Sequence, residues 1–190
     1  NMTTGCSVFA PPFFVNNPNT FSLNIPVANI VNVSCYGTST GSAQITIIDN
    51  NLIPTNDAGA FTYQIKDLSN AIIASGTSPN AGPITVSNLP AGVFTAFATL
   101  TNNPFCTAQL NFTITQPLEP LVVNATNTAH VTCTNIQGII NIVPTGGTPP
   151  YTINIFNQTT SVNYGTTNTG LSAGNYLLTV TDSKNCIATK

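Results

Sequence analysis

Asn88-Leu89-Pro90-Ala91-Gly92-Val93-Phe94 and Gly170-Leu171-Ser172-Ala173-Gly174-Asn175-Tyr176 are two copies of one block, Leu-x-Ala-Gly-x-aromatic. A cysteine follows each copy, at Cys106 and Cys186, and another precedes each, at Cys35 and Cys133. The chain is a tandem array, and that repetition governs how everything around the block is read.

Working outward, Cys6 is followed about a dozen residues later by Pro18, much as Cys106 is followed by Pro117. Cys6 therefore reads as the closing cysteine of an earlier repeat. The spacing from Cys6 to Cys106 is 100 residues and from Cys106 to Cys186 it is 80, so loops vary while the repeat ends stay fixed. The expected division is 1–18 as the end of a preceding repeat, 19–117 as a first full repeat, and 118–190 as a second whose last strand is incomplete. Five cysteines in this register predict two bridges, Cys35 with Cys106 and Cys133 with Cys186. Cys6 is left unpaired within these residues and is expected to bond outside them. Disulfides in turn imply an oxidising, extracellular setting.

The hydrophobic period is two nearly throughout. Phe61, Tyr63 and Ile65 alternate with polar residues, as do Leu110, Phe112 and Ile114, then Tyr151, Ile153 and Ile155, and then Tyr176, Leu178 and Val180. Each run is a strand with one face in a core. Phe94, Ala96 and Ala98 repeat the pattern more weakly. Turn compositions separate the runs, including Gly146-Gly147-Thr148-Pro149-Pro150 and Ser78-Pro79-Asn80-Ala81-Gly82-Pro83. The reading is all-β, with sandwiches of about seven strands each. Gln116-Pro117-Leu118-Glu119-Pro120 forms a short stiff joint that favours an extended rod. Gly92 and Gly174 are expected to supply positive φ at a turn. Tyr176 is placed where a hydroxyl can bond to backbone, and Pro149-Pro150 imposes an extended entry to the next strand.

Composition excludes several functions. Charged residues make up 4% of the 190, with three Lys and no Arg, so there is no electrostatic footprint for nucleic acid. No apolar run reaches the length of a membrane span, and no membrane insertion is expected. Catalysis requires positioned acids, bases or nucleophiles, and neither a nucleophile elbow, zinc spacing nor phosphate loop is present. No catalytic residue, metal or cofactor is expected. His130, the only histidine, reads as a strand-surface residue. Asp49 and Asp57 flank one loop and are a weak candidate for calcium, while Asp182 reads as a turn cap. A candidate glycan contact is Tyr164 with Asn163 and Asn168, against the plainer reading of a polar loop around one packed tyrosine. Asn32, Asn111, Asn124 and Asn157 begin glycosylation sequons by pattern.

Val131-Thr132-Cys133, the Gly146-Gly147-Thr148-Pro149-Pro150-Tyr151 element, the block from Gly170 to Asp182 and Cys186, in that order and spacing, resemble the SprB-type repeat. That family occurs in very large surface adhesins of gliding Bacteroidota exported by the type IX secretion system. Residues 19–117 match less well, with Asp57-Ala58-Gly59-Ala60-Phe61-Thr62-Tyr63 in place of the Gly-Gly-x-Pro-Pro-Tyr element. The resemblance implies tandem immunoglobulin-like domains serving as a stalk or filament at the cell surface. Partners would be neighbouring repeats of the same chain, and surface polysaccharide or other adhesin chains. Two alternatives stand beside it. One is a fibre or pilus subunit joined by strand addition, with Ser7 to Val15 as donor. The other is a glycan-binding module.

Overall fold

In the computed structural model the described residues are 21–49, 60–101, 104–134 and 137–190. Cys6, the strand expected at Ser7 to Val15, and Asp57 lie outside them. These residues are all-β and antiparallel, and they form two seven-stranded immunoglobulin-like sandwiches that follow one another.

The first begins with an interrupted edge strand. β1 (Phe21–Asn24) pairs with residues 46–49 of β3 (Gly41–Asp49), and β2 (Ile30–Val31) pairs further along β3, with a short 3-10 turn, Val27–Asn29, between them. β6 (Ile84–Leu89) lies on the other edge of β3 and completes one sheet. The facing sheet runs β5 (Ile72–Ser78), β4 (Phe61–Asp67), β7 (Gly92–Leu100), β8 (Thr107–Ile114). This order puts the first, second and fifth strands in one layer and the third, fourth, sixth and seventh in the other, an immunoglobulin-type arrangement.

The second sandwich repeats that order with shorter strands. β9 (Val122–Ala129), β10 (Gly138–Thr145) and β13 (Thr169–Leu171) form one layer. β12 (Val162–Gly165), β11 (Thr152–Asn157), β14 (Tyr176–Thr181) and β15 (Ile187–Thr189) form the other. β15 pairs with Thr179–Thr181 of β14 over three residues.

The period-two runs build the cores. Phe61, Ile65, Phe94, Ala96, Ala98, Phe112 and Ile114 are buried in the first, and Ile155, Leu178 and Val180 in the second. Leu89 and Leu171, the repeated leucines, are both fully buried, and each such side chain stabilises the fold by about 1.5 to 3 kcal/mol. Among the described residues no buried side-chain nitrogen or oxygen lacks a hydrogen-bond partner, so the many Asn and Thr are absorbed without unpaired polar groups. No helix among these residues is long and apolar enough to cross a membrane.

Of the two repeated glycines, Gly174 has the positive φ expected of it, at 157°, and Gly92 does not. The left-handed residue of the block comes before the leucine, at Asn88 (φ 60°) and Gly170 (φ 70°). Gly92 has no positive φ; a Cβ there would stand 3.4 Å from the Phe94 ring. Gly174 admits the Asn157 amide, which a Cβ would meet at 2.5 Å. The spacing thus marks a close approach of backbone to side chain at Gly174, whereas Gly92 leaves room for ordinary van der Waals contact with Phe94.

Candidate functional site: a clamped joint between the sandwiches

The joint is built from three loops. After β2 the chain turns at Cys35, where the Thr38 hydroxyl and amide both donate to the Cys35 carbonyl, at 2.8 and 3.1 Å. This loop is stitched to the end of the same sandwich. The Val33 amide donates to the Thr115 carbonyl at 2.9 Å, the Thr115 amide donates to Asn32 Oδ1 at 2.8 Å, and the Gly37 amide donates to Gln116 Oε1 at 2.8 Å. The connecting segment is thereby held from its first residues.

At its other end the segment meets the Gly146–Pro150 loop. The Gly147 amide donates to the Glu119 carbonyl at 3.0 Å, and a Cβ on Gly146 would lie 1.9 Å from the Pro120 carbonyl oxygen. With φ of 69° and 60°, Gly146 and Gly147 also occupy backbone that other residues enter only with strain. The Tyr151 hydroxyl donates to the Gly146 carbonyl at 2.6 Å and ties the loop to the start of β11.

Asp182 organises the third loop. Only 4% exposed, it accepts the Lys184 and Cys186 amides through Oδ1 at 2.8 and 2.9 Å, and the Thr148 amide through Oδ2 at 2.8 Å. Burial alone would raise its pKa. The three amides, with the Lys184 charge, outweigh burial and hold it below the ordinary carboxylate value. The turn cap expected of Asp182 thus extends to the neighbouring loop, and it places Cys186 at the joint.

There Cys186 is bonded to Cys35, with Cα atoms 5.6 Å apart, and its sulfur lies 3.3 Å from the Ser34 carbonyl oxygen. This corrects both expected bridges. Cys35 does not pair with Cys106, nor Cys133 with Cys186; Cys106 is a half-buried free thiol and Cys133 an exposed one. The reason is the alternation of strand direction. Among the described residues five strands, β3 to β7, separate Cys35 from Cys106, and five more, β10 to β14, separate Cys133 from Cys186. An odd number puts the two loops at opposite ends of a sandwich. Cys35 sits beside Thr115, and Cys106 lies nine residues earlier along β8, about 30 Å away at strand rise. The cysteines that do meet are those at the facing ends of two consecutive sandwiches. A cleft between them is lined by Tyr36, Pro120, Leu121, Gly147 and Ile187.

The remaining candidates have local roles. The half-buried Tyr164 packs against Tyr176 with ring centroids 6.1 Å apart, and its hydroxyl lies 3.0 Å from Ser172 Oγ, which lowers its pKa from the ordinary value. Asn163 accepts the Gly165 amide at 2.9 Å, and the Asn168 carbonyl accepts the Ile140 amide at 3.0 Å. The three residues therefore do not converge as one set of side chains. Tyr176 forms the anticipated corner, its hydroxyl donating to the Ser172 carbonyl at 2.5 Å. Asn157 is fully buried, bonded to Ser172 Oγ and to the Thr159 and Thr160 amides, so its sequon is closed in the folded chain. Exposed His130 lies 3.1 Å from the Asn127 amide nitrogen. Among the described residues no group of three or more His, Cys, Asp or Glu could hold a metal; the Asp49–Asp57 loop falls outside them at Asp57.

No family model matches the chain, and no curated protein matches it. Among solved structures it is similar to the three N-terminal domains of the bacteriophage RB49 Highly Immunogenic Outer Capsid protein (Hoc), at 13% identity and a TM-score of 0.39. The match covers 90% of this chain, which spans 57% of the phage chain. At that score the overlay is loose, and the immunoglobulin-like assignment rests on strand pairing alone.

Proposed function

We propose that this chain is a non-enzymatic structural segment of a large extracellular adhesin or filament, a stalk whose joints are clamped by disulfides. The observation that carries the proposal is the Cys35–Cys186 bond, which joins two sandwiches a second time beside the covalent connection through Gln116–Pro120. A double connection limits bending at the joint, as a stalk that holds a distant tip away from a cell requires. The bond also calls for an oxidising compartment. The likeness of residues 118–190 to SprB-type repeats supports the same reading and gives it a setting, the surface of a gliding bacterium supplied by type IX secretion. In that setting the partners are neighbouring repeats, together with surface polysaccharide or other adhesin chains.

Antibodies raised against the chain should label intact cells of its source, and deletion of its gene should reduce attachment or surface spreading. Labelling that appears only after permeabilisation would overturn the proposal.

A further inference from the structure

Cys106 and Cys133 stand at positions equivalent to the two cysteines of the clamp. Cys106 and Cys186 each precede the last strand of a sandwich, and the carbonyl of each closes the same hairpin, accepting the Leu100 amide at 3.1 Å and the Asp182 amide at 3.0 Å. Cys35 and Cys133 each occupy the loop after the first strand, six and five residues before the next strand begins at Gly41 and Gly138. Cys106 thus presents a clamp half at one end of the pair and Cys133 the complementary half at the other, and neither is disulfide-bonded. Phe105, beside Cys106, is 94% exposed, an apolar side chain at the end where the equivalent Asn185 lines the joint cleft. At the opposite end a cleft beside the loop that carries Cys133 is lined by His130, Val131 and the second copy of the repeated block.

We infer that these two ends are head-to-tail docking surfaces for further copies of the same sandwich, sealed by a Cys133–Cys106 bond that reproduces the Cys35–Cys186 clamp. The joint already formed within the chain is the template. Unlike ends in contact make a heterologous interface, which propagates as an open filament rather than closing. Sealing is thiol–disulfide exchange. A thiolate at one cysteine attacks a disulfide oxidant such as oxidised glutathione and displaces one thiol. The second cysteine then attacks the mixed disulfide and displaces the other, so that two thiols become one protein disulfide and the oxidant leaves as two thiols. The inference does not depend on what the stalk adheres to.

The test uses the 190-residue chain carrying Cys6→Ser, mixed as equal parts of isotopically light and heavy protein. It is oxidised in a glutathione buffer, digested with chymotrypsin without reduction, and analysed by mass spectrometry. The expected result is a ladder of covalent oligomers containing mixed light–heavy Cys106–Cys133 peptides, alongside Cys35–Cys186 peptides of single isotopic composition. Cys106→Ser or Cys133→Ser should each abolish the ladder and leave Cys35–Cys186 intact. Formation of Cys35–Cys186 without the mixed peptides, or predominance of like-with-like Cys106–Cys106 and Cys133–Cys133 bonds, would overturn the inference. Failure of Cys35–Cys186 to form would remove its template.

Discussion

Asp182 shows how much one side chain sets at the joint. Its carboxylate answers three backbone amides, two in its own turn and one across the loop at Thr148. Replacing it by Ala leaves those donors without a partner, and thermal or urea denaturation should report a loss of roughly 2 to 3 kcal/mol. The pH dependence follows from the direction of its shift. Its folded pKa lies below the ordinary value of 3.8, so its contribution is complete above that value and disappears as pH falls through the folded pKa. Acid titration of the wild type should therefore steepen in that range relative to Asp182→Asn. Tyr176→Phe removes the bond to the Ser172 carbonyl while keeping the ring, and should cost about 1 kcal/mol. Phe94, which stands at the same place in the first sandwich, does without a hydroxyl by packing on Phe112 at 5.5 Å between centroids. A Tyr there gains no stability unless it finds a partner.

Elements explain both what was legible and what was not. The alternation in Phe61–Ile65 and Tyr176–Val180 identifies buried faces because a strand has only two sides, and the repeated block identifies two equivalent crossings from one sheet to the other, β6 to β7 and β13 to β14. Disulfide pairing escaped the same reading. Repeat logic matched each opening cysteine with the closing cysteine of its own unit, whereas strand parity sends those two loops to opposite ends. The signal was present in the number of strands between the cysteines. Close approaches such as that of Gly146 to Pro120 are not visible in sequence, since they depend on how the β10–β11 loop meets the connecting segment. Gly146→Ala combines a strained φ with a clash against backbone, and should destabilise the second sandwich by about 2 kcal/mol or more. Slower recovery of the Cys35–Cys186 bond after reduction should accompany that loss, read by thiol labelling over time.

For the whole molecule, the clamp changes how load is carried. Cys35 and Cys186 are 151 residues apart in sequence, so tension applied at the chain ends crosses the bond and bypasses nearly everything between. In single-molecule stretching the oxidised chain should release little length. Reduction should expose about 500 Å more, at roughly 3.5 Å per extended residue. Closing so long a loop also limits the unfolded chain, and reduction should lower stability by roughly 2 to 5 kcal/mol. All of this depends on which cysteines are joined, and the three lysines make that directly readable. Trypsin cleaving after Lys66 and Lys184 divides the chain into residues 1–66, 67–184 and 185–190, separating Cys35 from Cys106 and Cys133, and these from Cys186. Digested without reduction, the Cys6→Ser chain should yield residues 185–190 covalently attached to residues 1–66; attachment of 185–190 to residues 67–184 would contradict the clamp.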